Sequence, residues 1–448
     1  MLVGVLCRQA YYNMKYRKCQ YYIFDNKKYV KDKRTNELKE VLQDFSASGR
    51  ENPFSKNKQQ ALYLSSVYKY IGHKIHDEYK QTGVEQFLGF DAQTFKSEKR
   101  RKKIYWCSRY MEFAHLKDKT KHISYNESCH SSLCPCCNFF RSRMDLKNMI
   151  CILEEFYKNP FNTSFPLIFL TLTVPNCANE DLKQTLDRLN KSYNRLMKYK
   201  ELEGAFVASS RSLEITYNED GSAHPHLHIL LVCCPDYFTG NKYLNRWQFL
   251  FLWQRAYGVH RFRDFKKWYG WYWSQFFCVP DRGKLRLAPW APADFITQID
   301  VRRIKSPSHK EVSQALRQGV DLFQVARPIL AALSEFIKYP FKPDNLLSGD
   351  IVIDAERVFF LDSAMYHRRR WQVSGFFKDI AQQLKLPDSE DDNTELVQIA
   401  GLDLEQIEYF SGWWYNNGFG EYLRGERKTN EQKNFFRRFM GLPELPTR

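Results

Sequence analysis

Apolar and polar positions fall into blocks along the chain, and the period of each block predicts its secondary structure. The segment "PLIFLTLTVPN" (166–176) is a nearly unbroken apolar run, rich in β-branched and aromatic residues and closed by Pro175, as in a buried strand. The block "NEDLKQTLDRLNKSYNRLMKY" puts Leu182, Leu186, Leu189, Tyr193 and Leu196 on one side of a helix, with Asn179 as its expected cap. "RSLEITYNEDGSAHPHLHILLV" reads as two strands joined by a turn around Asn218-Glu219-Asp220-Gly221. "ARPILAALSEFIKYPFKPDN" reads as a helix begun near Pro328 and ended at Pro340. An acidic loop, "PDSEDDNTE", follows near residue 390, and helical patterns then resume to the C-terminus.

These blocks divide the chain into four parts. Residues 1–103 are polar and basic and end in "KSEKRRKK" (96–103), which is either a solvated face or a grip on phosphate. Residues 104–150 carry clustered cysteines, 160–345 hold the strand and helix blocks, and 346–448 form a mainly helical region. The expected fold class is α+β, with a central antiparallel sheet flanked by helices and preceded by a small module of zinc-knuckle type.

Charge narrows the choice of partner. Lys and Arg number 68 against 51 Asp and Glu, a net +17 over 448 residues. Such a surplus favours a polyanion, because neutralising phosphates releases condensed counterions. No run approaches the ~18 apolar residues of a membrane span. The opening "MLVGVLCRQAYYNMKYRKCQ" lacks the basic n-region and cleavage site of a secretory signal. Of the 12 cysteines, four lie between 129 and 137, which reads as metal ligation in a reducing cytoplasm rather than as disulfides.

The densest chemistry is in "HPHLHILL" (224–231). Alternate residues of a strand share a face, so His226 and His228 project together as a bite for a divalent metal. Glu214, in the strand before, is one candidate third ligand if the two strands pair. His224 is the other, although Pro225 can turn it out of the strand. A mixed histidine and carboxylate set with open positions suits Mg or Mn acting on a phosphoryl oxygen, and the spacing accommodates Zn equally.

In "SEFIKYPFK" the residues Glu335 and Tyr339 stand four apart, on one helical face. A phenol can attack phosphorus and form a covalent intermediate, and a carboxylate one turn away can take a proton from water. Lys338 and Lys342 add positive charge beside them.

The cysteines Cys129, Cys134 and Cys137 form a C-x4-C-x2-C run, three of the four thiolates that a structural Zn requires. Cys107 is the expected fourth ligand, with His130, Cys136 and His122 as alternatives. Arg141 and Arg143 beside the run, and Arg368 and Arg369 in "HRRRWQVSG", are candidate contacts to DNA. "FKKWYGWYWSQFF" (265–277) offers rings for stacking on unpaired bases, or else fills a core or forms a lid.

In chain order, "FLTLT" (169–173), "HPHLHILL" and "EFIKYPFK" (335–342) resemble the motif succession of the HUH endonucleases. More specifically they resemble the plasmid rolling-circle replication initiators of the Rep_1 family, and "CHSSLCPCC" resembles that family's cysteine run. The resemblance spans residues 104–375. It implies an HUH nicking and strand-transfer domain over 160–345, with the catalytic metal at His226 and His228. It further implies attack by Tyr339 on one phosphodiester of a plasmid origin. The enzyme would then be linked to a 5′-phosphate, leaving a 3′-OH for a host polymerase, and Glu335 would activate water at termination. The sequence holds no GxxxxGK[ST] loop, which leaves unwinding to a host helicase. Other readings are a transposase or relaxase of the same superfamily, and a non-catalytic, zinc-stabilised DNA-binding protein.

Overall fold

The apolar run around Phe169 forms the strand Leu167–Thr173 of a five-stranded antiparallel sheet. The strand order is Asp300–Ile304, Leu167–Thr173, Ala223–Cys233, Phe206–Tyr217 and Trp371–Gly375. This computed structural model describes residues 21–32, 35–45, 49–279, 284–319, 343–391, 394–397 and 404–446. The chain forms two units: Met1–Met144, Pro343–Ser363 and Asp388–Arg448 make one, and Asp145–Lys342 with Ala364–Pro387 make the other. The five-stranded sheet belongs to the second.

Strand alternation sorts the residues of this sheet. Leu170, Leu172, Leu213, Ile215, Leu227 and Ile229 project to one face and are buried. The helix Leu182–Leu196 lies on that face, with Tyr193 meeting Ser209 and Asn190 meeting Arg211. Its five expected apolar positions, Leu182, Leu186, Leu189, Tyr193 and Leu196, are all buried.

The opposite face changes character along its length. At one end Leu167, Phe169, Ala208, Leu230 and Val232 join Ile152, Leu153, Phe156 and Phe377 in a single buried cluster. Each large side chain among them contributes ~1.5–3 kcal/mol of burial, which pins the strands in register. At the other end the same face turns polar, with Thr171, Thr173, Ser212, Glu214, His226 and His228 set in cross-strand pairs.

The first unit holds a four-stranded sheet of order Glu421–Gly425, Ile407–Asn416, Tyr110–Leu116 and Lys121–Asn126. The 29-residue helix Phe54–Thr82 buries Ala61, Leu64, Val67, Tyr68 and Ile71. That spacing is legible in the sequence, although residues 1–103 read there only as a basic segment. Gly72 on this helix lets the helix Ser97–Trp106 approach closely, since an added Cβ would stand 2.7 Å from the Ser97 Oγ.

Two expectations need correction. The region after residue 346 is not a mainly helical appendage. Besides the helices Ile351–Met365, Phe376–Gln383 and Asn430–Met440, it supplies an edge strand to one sheet and two strands to the other. The aromatic run Tyr409–Tyr415 explains this, because it buries Ser411, Trp413 and Tyr415 in alternation against the strand Tyr110–Leu116. Nor is the cysteine segment a free-standing module, since Tyr422 of the C-terminal strands donates to the Ser108 carbonyl beside Cys107. Among the described residues no helix is long and apolar enough to cross a membrane.

Candidate metal centres

The register of the hairpin sets Glu214 directly opposite His226, and His226 opposite Thr173 on the other side. His226 Nε2 and His228 Nε2 lie 2.8 and 2.7 Å from one oxygen of Glu214, Oε2. The three side chains keep 12–16 % of their exposure, so the group is reachable from solvent. Partial burial pushes the Glu214 carboxyl up, but the two imidazoles beside it outweigh this and hold it well below the usual carboxylate range.

The geometry fits a divalent cation. Octahedral ligands on ~2.1 Å bonds stand ~3.0 Å apart, close to the spacing of these donors. A cation so held would keep open positions for substrate oxygens. Each ring also has its other nitrogen engaged: His226 Nδ1 faces the His224 carbonyl at 3.3 Å, and His228 Nδ1 faces Thr171 Oγ1 at 3.1 Å. Such contacts fix the ring and its tautomer and aim Nε2 at the metal position. Phe169 stacks on His228 with centroids 5.6 Å apart.

Of the two candidates for the third position, Glu214 converges with the histidine pair and His224 does not. The strand runs straight through Pro225, so His224 stays on the same face. There its carbonyl, rather than its ring, serves the centre. Sequence reasoning missed Thr171. Its signal was the threonines of "FLTLT", which alternate at the same period as the histidines and face them across the sheet.

A second group lies in the other unit. Cys107, Cys129, Cys134 and Cys137 are buried, with their sulfurs within 4.8 Å of one another. Cys107 stands 3.5 Å from Cys137 and 3.6 Å from Cys134, and Cys129 stands 3.6 Å from Cys137. A disulfide needs ~2.05 Å, whereas a tetrahedron with ~2.3 Å metal–sulfur bonds has edges of ~3.8 Å. The spacing fits the tetrahedron. Cys134 and Cys137 sit at the start of the helix Pro135–Tyr157, where the macrodipole favours thiolates. Burial drives Cys129 and Cys134 well above the ordinary thiol range, so without a cation their protonated forms prevail. His130, Cys136 and His122 stay outside the group; Cys136 instead lines a small cavity with Phe54, Asn57 and Met111.

Lys58, also missed in the sequence, is fully buried and donates to the carbonyls of Tyr105 and Cys107 at 2.6 Å each. A dication on four thiolates leaves two net negative charges in the interior, and a buried ammonium nearby offsets them. Lys58→Met is expected to weaken binding of a Zn2+ probe about 10–100-fold in chelator competition, the usual size of an outer-sphere effect. Lys56→Met, which removes an exposed partner of Asp344, is expected to leave it unchanged. Equal affinities for both variants would remove Lys58 from this role.

The candidate DNA contacts divide. Arg141 is 2 % exposed and donates to the carbonyls of His130, Ser131 and Ser389. It braces the cysteine loop and does not present its guanidinium to DNA. Arg368 is half-buried against Asp187 at 2.6 Å. Arg143 and Arg369 are exposed. Glu335, Lys338, Tyr339 and Lys342 lie outside the described residues.

Comparison with known proteins adds a lineage. The Rep_1 family model, described as a replication protein, matches residues 120–261 and 290–418, more than half of the chain. "Protein rep" of Lentilactobacillus hilgardii is 25 % identical over 385 residues, covering 84 % of this chain and 97 % of that one. "Protein rep" of Bacillus amyloliquefaciens is 26 % identical over 369 residues, 82 % of this chain and 91 % of its own. "Protein rep" of Lactiplantibacillus plantarum is 29 % identical over 315 residues, 69 % and 83 % respectively. No solved structure matches. With the matched spans enclosing the histidine pair, Glu214 and the three clustered cysteines, the chain belongs to the Rep_1 family of plasmid replication initiators.

Proposed function

We propose that this initiator nicks one strand of a plasmid origin through a covalent tyrosine intermediate, in the cytoplasm, and that its five-stranded sheet is an HUH-type nuclease domain. The observation that carries the reading is the meeting of Glu214, His226 and His228 at one point on the polar end of the sheet. A divalent cation held by these three, Mg or Mn, would polarise a phosphoryl oxygen of the scissile diester. The phenolic oxygen of Tyr339 attacks phosphorus, and the bond from phosphorus to the 3′ oxygen breaks. The 3′ oxygen leaves with a proton as the primer end, and the 5′-phosphate stays on the tyrosine. Glu335, four positions before it in the sequence, takes a proton from water at termination, so that hydrolysis can replace a second strand transfer. Lys338 and Lys342 add positive charge beside the nucleophile. Arg143 and Arg369 lie on the surface, where backbone phosphate can be met. The four-cysteine group holds a structural zinc. A host helicase and polymerase complete the replication step.

The test is incubation with a supercoiled plasmid bearing the origin and Mg or Mn. Nicked circles carrying protein on the 5′ end are expected, and Tyr339→Phe is expected to form none. An adduct formed by Tyr339→Phe would overturn the assignment of the nucleophile.

A further inference from the structure

The aromatic helix Phe265–Ser274 splits its rings between two environments. Trp268 and Tyr272 are buried, which accounts for half of the segment as core. Tyr269 and Trp273, one turn apart, are 37 % and 38 % exposed. Trp247 of the neighbouring helix lies 5.6 and 5.7 Å from their rings, so the outward rings form one group. Trp290 is 67 % exposed, yet its indole N–H donates to the Ser274 carbonyl at 3.1 Å. Its polar edge is thereby satisfied and its ring held, while the ring faces are left to solvent.

Gly270 lies on the same outward stripe. Beyond its chain neighbours and its own helix backbone, an added Cβ there meets nothing within 4 Å, and its φ is not left-handed, so neither tertiary packing nor φ calls for glycine. Glycine destabilises a helix interior relative to alanine. Here it leaves bare backbone one turn before the exposed Trp273, room for a flat group to lie close. Charge points to the same occupant. Between Arg246 and Trp290 nine Lys and Arg face two Asp, and one of these, Asp264, is used as the cap of the helix. Arg246, Lys266 and Arg286 are exposed.

We infer that Tyr269, Trp273 and Trp290 form a stacking ledge for the unpaired bases of single-stranded DNA, with Arg246, Lys266 and Arg286 meeting its phosphates. The supports of the ledge lead toward the histidine strand. Trp253, on the helix of Trp247, donates to the carbonyl of Thr173, the cross-strand partner of His226. Tyr272 donates to the Thr297 carbonyl, next to Gln298, which accepts from the Thr173 hydroxyl. The inference rests on the nicking reading for the origin of the strand alone; stacking itself requires no metal and no cleavage.

The full chain, kept in EDTA so that no nicking occurs, is titrated into a labelled oligothymidylate of about 12 nucleotides, within the site size of such surfaces. Affinity is expected to fall roughly tenfold for each of Tyr269→Ala, Trp273→Ala and Trp290→Ala, while duplex of equal length responds far less. Trp290→Phe keeps a ring and is expected to keep most of the affinity. Gly270→Gln, which covers the gap, is expected to weaken binding while raising helix stability. Binding in EDTA is read without cleavage, and nicking by the parent is assayed separately with Mg or Mn, so a failure of nicking chemistry and a failure of the ledge remain distinguishable. Unchanged affinity in all ledge variants would overturn the inference. So would a loss of self-association in sedimentation without a loss of oligonucleotide binding, because the ledge and the exposed Leu285 and Leu287 would then be an interface between copies of the chain.

Discussion

His226→Ala is expected to reduce nicking of origin plasmid by about a thousandfold or more, leaving the unfolding temperature within a few degrees of the parent. A Lewis acid on a phosphoryl oxygen provides several kcal/mol of transition-state stabilisation, and ~4 kcal/mol converts to about a thousandfold in rate. Removing one of three donors takes most of that away. The cost to the fold is small, because His226 stands at the polar end of the sheet and the cluster around Phe169 and Leu230 pins the strands. Glu214→Gln keeps an oxygen but loses the charge, and a smaller loss of cation affinity is expected. Thr171→Val removes only the contact to His228 Nδ1, and a loss of about 10–100-fold in cation affinity is expected. The order His226→Ala, Glu214→Gln, Thr171→Val is checked by Mn titration alongside nicking rates. Full nicking by His226→Ala would exclude this centre from the chemistry.

Acid should release the cation, since the ligands bind as neutral imidazole and carboxylate. Glu214, held below the usual carboxylate range by its two imidazole partners, stays ionised in mild acid. Because metal ligands must bind deprotonated, Mn affinity should rise from mild acid to neutrality.

What could be read from the sequence follows from the range of the interactions involved. The histidine pair was legible because a period of two fixes which side chains share a face, whatever the strand packs against. Glu214 was legible only conditionally, since its place opposite His226 depends on how the turn around Asn218–Gly221 sets the register. Cys107 could be chosen for its position upstream of the cysteine run. Lys58 could not, because nothing in its own helix marks it; its partners are carbonyls 47 and 49 residues away. The strand Ile407–Asn416 was missed for the same reason at greater range: Trp413 pairs with Met111. Arg141 failed differently. A guanidinium beside a metal knuckle invites a DNA reading, but the loop carbonyls of His130 and Ser131 need donors, and Arg141 supplies them.

The second large effect concerns that knuckle. Cys134→Ser is expected to lose one bound metal per chain and to lower stability by about 3–5 kcal/mol, or about 10–15 °C in the unfolding temperature of its unit. The four sulfurs tie together three pieces of chain: the end of the helix Ser97–Trp106, the loop at Cys129 and the start of the helix Pro135–Tyr157. Without a cation, burial keeps Cys129 and Cys134 protonated and the three pieces lose their common anchor. The fall should stay below the ~10–16 kcal/mol of isolated zinc modules, because Phe54, Phe113, Phe139 and Phe140 pack alongside and hold part of the structure without metal. Cys136→Ser separates the two contributions. Cys136 is as buried as its neighbours but lies outside the four, so it should cost some packing and keep the full metal content. Metal analysis and calorimetry on both variants decide the matter, and a Cys134→Ser protein retaining one metal and its parent unfolding temperature would show that the four thiols do not form the site.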